Sequence, residues 1–507
     1  MPRATASLVF ALLLGGVLAP AEAAGKRSST RFHVDCSATR TGDGSRGRPW
    51  STLERASTAL LRPGARLLLR RGTECAGVLA PRGSGSRRSP ALIGAYGRGP
   101  RPRIEGSGED ALVLRDVSHV VVQDLELTNH GDFESRRRGV HLIAEGGVVR
   151  GVTLRRLHVH DVEGDLSKDA NGSGGIQVDV LGGPPARFDG LLIEGNVVED
   201  VSRSGIFIVG TSDGTRPRAF EPWPEASSGI VVRRNRLARL GGDGIVPTGT
   251  AGALVEENVV SHGNLRGRGF SDPRGLICNA GIWTFHANNT VIQRNEVFDM
   301  RFNGCDGTAY DVDYDQDGTV VQFNYSHDNE GGFILLCTDA GPRTAEVRFN
   351  LSVDDRFLLY QSPCSLQPGA TFHGLSVHNN TAVAPDPALA ILGVRATALL
   401  DPDGPEFRNN IVHATVTQGS SLPCGARCSH NLFFGLPPSG ANALVGDPRF
   451  RDPARRGQGR LAVGRGFRLR AGSPAIGAGI RISGSSPTDY FGRRLTDPPA
   501  IGFHQRG

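Results

Sequence analysis

The sequence predicts an all-β fold, a coiled parallel β-helix in which short strands stack into a solenoid. The chain has 507 residues with 69 Gly and 31 Pro, a composition that disfavours long helices and favours strands joined by tight turns. A short apolar run that ends in asparagine recurs between residues 190 and 435. Two pairs of cysteines are each separated by 27 residues, which matches the interval of that repeat. These observations favour one elongated solenoid over the two or three domains that length alone suggests.

The repeat places one asparagine in each coil, after an alternating apolar run. The asparagines are Asn196, Asn235, Asn258, Asn295, Asn324, Asn350, Asn380, Asn410 and Asn431. Their intervals range from 21 to 39 residues, whereas the blades of a β-propeller, the alternative fold, repeat regularly at about 40 residues. An asparagine at a tight corner tolerates a left-handed backbone and can hydrogen-bond its neighbours above and below. We therefore expect an asparagine ladder along one corner.

The N-terminal residues predict export. Residues 1–24 contain Arg3, the apolar run Leu8–Leu18 and a series of small residues, which is the pattern of a secretory signal peptide. The apolar run is too short to span a bilayer. We therefore expect a secreted, extracellular protein with no membrane partner.

The rest of the chain divides into a solenoid and two ends. Residues 25–75 are expected to form an N-terminal cap and the first coil, with a capping helix over Pro49–Leu60 that covers the exposed sheet edge. Residues 76–445 are expected to form the β-helix, and residues 446–507, rich in Pro, Gly and Arg, a C-terminal cap.

Export makes disulfides between the 8 cysteines the expectation, with free buried thiols as the alternative. Residues one coil apart lie close together on adjacent coils, so cysteines 27 residues apart can form a disulfide, and two pairs have this spacing. Two further cysteines are four residues apart and can close a short loop, which leaves the last two to pair with each other. The predicted disulfides are Cys278–Cys305, Cys337–Cys364, Cys424–Cys428 and Cys36–Cys75.

Several segments resemble a known superfamily. Gly47–Leu53, Asn324–Phe333 and Ala471–Gly477 are similar to segments of secreted right-handed parallel β-helix proteins with the pectin-lyase-like fold, in their bacterial carbohydrate-active members. The resemblance implies right-handed coils. Its members include polysaccharide lyases, glycoside hydrolases, epimerases and non-catalytic adhesive proteins, so it does not fix the function. The hydrolase motifs of the superfamily are not found in order, and Lys168, the candidate lyase base, lies in a predicted loop.

Carboxylates gather on the strands that follow the corners. Asp311, Asp313 and Asp315 alternate along one strand and are expected to face outward, because burying unpaired carboxylates is costly. The residues predicted to face inward are Tyr310, Val312 and Tyr314. Asp243 and Glu330 lie where neighbouring strands begin. Coils are stacked roughly 4.8 Å apart, so carboxylates one or two coils apart reach the roughly 5–10 Å separation of glycosidase pairs. The predicted catalytic set is therefore Asp311, Asp313, Glu330 and Asp243.

Aromatic and polar residues nearby predict a sugar-binding surface. Trp283 and Phe285 on the preceding coil would form an apolar wall for a sugar ring. His286, His327 and Arg301 are further candidates for polar substrate contacts.

Two alternatives compete for the same acidic residues. Asp313, Asp315 and Asp317, followed by Gly318, match the start of a calcium loop, but its twelfth position is Asn324 and not Glu, so a complete EF-hand is excluded. Calcium is therefore the one cofactor candidate, and the sequence requires none. The second alternative is a solvated acidic turn.

The charge pattern bears on partners. The net charge is +6, and lysine occurs only at Lys26 and Lys168, so arginine supplies the excess. Two explanations of the arginine excess stay open, a GC-rich genome and affinity for an acidic polymer. The 51 acidic residues are interspersed with the basic ones, which argues against nucleic acid. We expect a monomer that binds a polysaccharide.

The predicted function is a secreted carbohydrate-active enzyme that cleaves glycosidic bonds, by hydrolysis at a carboxylate pair. The alternatives are β-elimination on a uronate polymer, as in pectate lyases, and a non-catalytic extracellular carbohydrate-binding or surface protein.

Overall fold

The computed structural model describes most of the chain between residues 30 and 505. The residues that it does not describe are 1–29, 167, 169–170, 213–215, 266–277, 303–304, 338, 341–342, 357, 361–369, 372–373, 385–404, 415–425 and 506–507. The fold is all-β, as predicted. Three parallel sheets contain nearly all the described strands. Each coil contributes in turn to the three sheets, so every strand pairs with the equivalent strands of the coils before and after it.

Sheet I contains 17 described strands. They are Arg31–Val34, Arg66–Arg70, Ala91–Tyr96, Val120–Gln123, Val148–Arg155, Arg187–Glu194, Ser227–Arg233, Thr250–Ala251, Leu254–Glu256, Ala287–Asn288, Val291–Gln293, Gln316–Asp317, Thr319–Gln322, Ala345–Arg348, Leu375–His378, Glu406–Arg408 and Cys428–Ser429.

Sheet II contains 14 described strands. They are Glu74–Ala76, Arg103–Glu105, Glu126–Asn129, His158–Val162, Val197–Val201, Arg236–Leu240, Val259–Ser261, Glu296–Phe298, Tyr325–His327, Leu351–Val353, Thr381–Ala384, Ile411–Ala414, Leu432–Phe434 and Leu444–Val445.

Sheet III contains nine described strands and carries the candidate site. They are Asp110–Arg115, Arg138–Ala144, Gly174–Val180, Ser204–Val209, Ile245–Thr248, Ile282–Thr284, Thr308–Val312, Gly332–Leu336 and Leu359–Tyr360. Two small two-stranded sheets pair Leu60–Leu61 with Arg82–Gly83 and Asp339–Ala340 with Ala370–Thr371.

The asparagine ladder is confirmed along the corner between sheets I and II. In each step the backbone N–H and Nδ2 of one asparagine donate to Oδ1 of the asparagine one coil further on, as Asn295 does to Asn324 at 2.9 and 3.1 Å. The ladder runs without interruption from Asn196 to Asn431. The left-handed residue is not the asparagine but the residue before it, such as Arg294 at φ 56°. The side-chain amide, and not a tolerance for positive φ, therefore explains the asparagine.

The interior is filled by columns of apolar side chains that stack from coil to coil. On sheet I one inward position is occupied in successive coils by Ile193, Val232, Val255 and Ile292, each fully buried. These columns maximise apolar burial between neighbouring coils and leave the outward positions of each strand for polar side chains.

Glycines form a column of their own at the start of the sheet III strands. A Cβ at Gly205, Gly244 or Gly281 would lie within 2.6 Å of a side-chain carbon of sheet II, such as Leu237 or Val297. Glycine is therefore required there because a Cβ would clash with the side chains of sheet II, and not because the chain turns. These glycines begin the repeated Gly-Ile pair that precedes each outward-facing site position.

The N-terminal helix is shorter than predicted. It spans only Leu53–Ser57, where Thr52 caps it by accepting a hydrogen bond from Arg55 N at 3.2 Å. Leu53 and Ala56 are buried against the first coil. The edge of sheet I is formed by Arg31–Val34, which pairs in parallel with Arg66–Arg70.

The C-terminal residues pack along the flank of the solenoid instead of covering only its last coil. The backbone N–H of Gly459 donates to Glu296 at 2.7 Å, several coils before the end. Phe467 and Phe503 are buried in one cluster with Phe349 of the corner. This segment also contains the second helix, Arg460–Gly464.

Two predicted disulfides are confirmed. Cys36 bonds to Cys75 and Cys278 to Cys305, with Cα–Cα distances of 5.3 and 4.8 Å. Cys337 and Cys428 are also disulfide-bonded, and their predicted partners Cys364 and Cys424 lie outside the described residues.

Candidate active site

The candidate site lies on the outward face of sheet III. Ile282 and Tyr310 point into the core, and the next residues, Trp283 and Asp311, alternate to the other face and are paired in register. Trp283 and Asp311 are nevertheless only 4% and 3% exposed. The outward face is therefore covered at this point, and the carboxyl group of Asp311 is held away from bulk water.

Asp311 and Asp313 form a close carboxyl pair. An oxygen of each lies within 4.8 Å of the other and of the sulfur of Cys337, which is disulfide-bonded and therefore offers no thiolate to a metal. Oδ1 of Asp311 is buried and has no hydrogen-bond partner among the described residues. Asp313 is half-buried and accepts a hydrogen bond from Tyr314 N at 2.7 Å.

Burial and mutual repulsion keep protons on this pair. Burial raises the pKa of Asp311 well above its usual range, and the carboxylates of Asp313, Asp306 and Asp243 raise it further. Burial also raises the pKa of Asp313 to about 6, against the opposing effects of its backbone hydrogen bond and of Lys168. Both shifts favour the protonated form of the pair, and they affect Asp311 more strongly than Asp313.

Asp243 is a buried hydrogen-bond centre and not an available catalytic group, which corrects the prediction made from its position. Its Oδ1 accepts from Trp283 Nε1 at 2.9 Å and from Ala280 N at 3.1 Å, and lies 3.6 Å from Lys168 Nζ. Its Oδ2 pairs with Arg203 at 3.1 Å. These contacts fix the plane of the Trp283 ring, and Lys168 lies over that ring, 4.4 Å from its centroid.

Glu330 and Arg301 contact each other. Arg301 forms an ion pair with Glu330, which also accepts a hydrogen bond from Phe302 N at 2.9 Å. The backbone hydrogen bond and the arginine hold the pKa of Glu330 below its usual range despite some burial. Glu330 is therefore an ionised, paired carboxylate, unsuited to donate a proton.

The two further aromatic residues extend the Trp283 surface. Phe285 stacks on Trp283 with ring centroids 5.5 Å apart, and Tyr314 lies 5.8 Å from Phe285. Tyr314 was predicted to point inward but is 39% exposed, because the strand ends at Val312 and the alternation does not continue past it. Tyr310 and Val312 are fully buried, as predicted.

The predicted calcium loop is not assembled. Asp315 pairs with His286 and, at 2.9 Å, with Arg216. Asp317 accepts hydrogen bonds from Thr344 N at 2.9 Å and from Ala219 N at 2.8 Å. These two carboxylates are thus held by an arginine, a histidine and amides on different segments, and they do not converge with Asp313 on a common point.

His327 lies on another sheet. It is in the sheet II strand Tyr325–His327, it is 3% exposed, and it forms ion pairs with Asp328 and Glu296. These carboxylates raise its pKa to about 9. His286, by contrast, lies beside Phe285, where its bond to Asp315 orients it.

Sequence reasoning missed that Lys168 and Arg203 neutralise Asp243. Asp306 adds negative charge next to Asp311. Its place directly before Gly307, where a sheet III strand begins, marks it in the sequence in the way that Asp243 and Glu330 are marked, although it is not in the predicted catalytic set. Lys168 comes from a loop more than 70 residues before Asp243, and no periodic pattern marks it.

The comparisons with known proteins agree with the geometry of the coils. A family model described as the right handed beta helix region matches residues 186–382. The structure of XylC in complex with xylose is similar in fold, with a TM-score of 0.58 over 94% of this chain and 98% of that one, at 13% identity. The chain thus resembles right-handed parallel β-helix proteins in its fold. No helix among the described residues of this β-helix protein is long and apolar enough to cross a membrane.

Two proteins that are similar in sequence to the chain are lacto-N-biosidases. A lacto-N-biosidase from Bifidobacterium longum subsp. longum is 28% identical over 411 residues, which span 68% of this chain but 25% of the relative. A GH136 lacto-N-biosidase from Eubacterium ramulus superimposes with a TM-score of 0.66 at 26% identity, covering 76% of this chain and 68% of that one. The chain thus spans about a quarter of the length of the curated relative that it matches.

Proposed function

We propose that the chain is a glycoside hydrolase in which Asp311 and Asp313 cleave a glycosidic bond beside the Trp283 surface. The observation that carries this proposal is the close carboxyl pair of Asp311 and Asp313, in which burial raises the pKa of both members and that of Asp311 the more. Two carboxyl groups in unequal protonation states are the chemical requirement of glycoside hydrolysis. The lacto-N-biosidase relatives support a hydrolase over the alternatives.

In the proposed mechanism the two carboxyl groups have different roles. Protonated Asp311 donates its proton to the glycosidic oxygen. Asp313, half-buried and ionised above pH about 6, attacks the anomeric carbon as the leaving group departs. Water then hydrolyses the glycosyl-enzyme ester, with Asp311 as the base that accepts the proton of the water.

The close spacing favours retention of configuration. Retaining glycosidases place their carboxyl groups about 5–5.5 Å apart, whereas inverting enzymes need about 6.5–9.5 Å to admit a water molecule. One oxygen of Asp311 lies within 4.8 Å of one oxygen of Asp313, which is nearer to the retaining than to the inverting separation. Half-buried Phe285 and exposed Tyr314 offer an aromatic surface to the sugar ring, while Trp283 supports Phe285 from behind.

We further propose a carbohydrate substrate outside the cell. The disulfides Cys36–Cys75 and Cys278–Cys305 support an oxidising, extracytoplasmic compartment, and the signal-like N-terminus supports export. The lacto-N-biosidase relatives make oligosaccharides that contain lacto-N-biose the first substrates to test.

The test measures release of a reducing sugar from such oligosaccharides, together with a wider panel of polysaccharides. We expect D311N and D313N each to lower kcat at least 10²-fold, the size of effect that general acid catalysis supplies. D299N, which alters a half-buried carboxylate paired with His262 beside sheet II, should leave kcat unchanged. Equal activity of wild type and both variants would refute the pair, whereas no cleavage of any sugar by the wild type would favour the non-catalytic alternative.

Two further readouts separate the remaining alternatives. Cleavage by β-elimination produces an unsaturated sugar that absorbs in the ultraviolet. The appearance of this absorbance would refute hydrolysis. The D306N variant tests the choice of acid, because Asp306 contributes charge to Asp311. We expect D306N to move the pH profile and retain activity. If D306N is inactive and D311N active, Asp306 is the acid and our assignment is wrong.

A further inference from the structure

A cluster of histidines and carboxylates lies on sheet II, away from the site on sheet III. It consists of Glu126 on the strand Glu126–Asn129 and of His158 and His160 on the next strand, His158–Val162. One ligand atom from each of the three residues lies within 4.8 Å of those of the other two. All three side chains are half-buried, which leaves the cluster open to ions from solvent.

The sheet geometry explains why these side chains meet. His158 and His160 are two residues apart, so both point outward on the same face of their strand. Glu126, on the preceding coil, is paired in register with His158. Glu199, on the following coil, is paired in register with His160. The two imidazole rings are 4.2 Å apart. Three adjacent coils thus direct nitrogen and oxygen atoms to one place.

We propose that Glu126, His158 and His160 bind a divalent transition-metal ion of the Zn²⁺ type. Imidazole nitrogen and carboxylate oxygen are ligands that zinc prefers, and bond lengths near 2.0–2.1 Å imply ligand atoms about 3.3 Å apart in a tetrahedron. Nε2 of His160 lies 3.2 Å from Oε1 of Glu126, which meets that requirement. Solvent supplies the fourth ligand.

Carboxylates behind the ligands fix the histidine rings. Nδ1 of His160 bonds Asp161 at 2.7 Å, which leaves Nε2 to face Glu126. Nε2 of His158 bonds Glu199 at 2.9 Å, which leaves Nδ1 for the ion. Histidine ligands of metal sites usually have such a partner on the other nitrogen, which sets the tautomer and the ring orientation.

Among the described residues, Arg103 is the arginine that contacts a ligand of this cluster. Its Nε donates to Oε1 of Glu126 at 2.6 Å. A carboxylate has two oxygens and about four lone pairs, so this bond orients Glu126 without using all of its capacity. The ion would join two adjacent coils in the N-terminal part of the solenoid, and its role is structural and independent of the reaction on sheet III.

The experiment titrates Zn²⁺ into the full secreted chain, freed of any polyhistidine tag, and follows heat, bound metal per chain and the thermal midpoint. We expect one Zn²⁺ per chain and a rise in the midpoint, because the ion binds only the folded site. The double variant His158→Ala, His160→Ala should lose both effects. Asp161→Asn should weaken binding by 10- to 100-fold, the usual cost of removing such a partner.

Two controls keep the outcome decisive. His262→Ala removes a histidine of sheet II that pairs with Asp299 outside the cluster, and it should bind Zn²⁺ like the wild type. If the double variant does not fold by circular dichroism, Glu126→Gln replaces it, since it keeps the packing and removes the charge. Binding that persists in these variants, or no stoichiometric binding by the wild type, overturns the proposal.

Discussion

Replacing Asn295 by alanine would remove four hydrogen bonds from the middle of the asparagine ladder. Oδ1 of Asn295 accepts from the backbone N–H and Nδ2 of Asn258 at 2.9 and 3.0 Å, and its Nδ2 donates to Asn324 and to Val255 O at 3.1 and 3.0 Å. Asn295 is fully buried, so water cannot replace these partners. At about 1 kcal/mol net for each bond, the expected loss of unfolding free energy is about 4 kcal/mol.

The loss should be local as well as global, because a solenoid is stabilised by contacts between neighbouring coils. We would measure denaturant unfolding together with amide hydrogen exchange, and expect the N–H of Asn258 to lose protection while the distant strand Ala91–Tyr96 does not. Gln458→Ala is the control, since it removes an exposed amide with a single 3.4 Å contact, to Arg236. A loss in N295A no larger than in this control would refute the ladder as a source of stability.

Two predictions concern protons. Lys168 lowers the pKa of both Asp311 and Asp313. The K168M variant should therefore move the acid limb of the pH–rate profile to higher pH, by up to about one unit, while K168R should leave it in place. An acid limb that K168M does not move would show that Lys168 does not act on the pair. Burial raises the pKa of Asp355 to about 6, above the unfolded value near 3.9, so its favourable contribution is present below pH about 4 and is lost as pH rises through 6. The unfolding free energy of the wild type should therefore fall by up to about 3 kcal/mol between pH 4 and 7. The unfolding free energy of D355N should not fall in this way, and the Ser326 and Ser352 hydroxyls can reorient around its amide. Denaturant midpoints of both proteins at the two pH values test this difference.

The ladder and the disulfides could be predicted from the sequence because asparagine and cysteine form these bonds only with a partner at a defined distance. An asparagine at a coil interval and a cysteine pair at the same interval each need a partner at a fixed distance, and both Asn295–Asn324 and Cys278–Cys305 have one. Alternation also placed Asp311 and Trp283 on one face. It failed at Tyr314, where the strand had already ended, because periodicity does not reveal where pairing stops.

Sequence could not distinguish an available carboxylate from a neutralised one. Asp243 occupies the position expected of a site residue, yet Arg203 and Lys168 reach it from other segments. Lys168 lies in a loop, and the course of a loop depends on contacts that no repeat encodes. The same limit explains Asp315, whose partner Arg216 is 99 residues away in the chain.

The spacing of the proposed pair is set by one strand and not by the stacking of coils. Stacking would place carboxylates from different coils, such as Asp243 and Glu330, at multiples of roughly 4.8 Å, and both of these are held by arginines instead. Asp311 and Asp313 are two residues apart on one segment, so their separation does not depend on the register between coils. The ladder would then serve the site indirectly. By fixing each coil on its neighbours, it would hold Trp283 on one coil against Asp311 on the next, where the aromatic surface and the acid must meet a single sugar. Disruption of the ladder at Asn295, which lies between these two coils in the sequence, should therefore raise KM as well as lower stability, and an unchanged KM in folded N295A would show that the coil register does not reach the site.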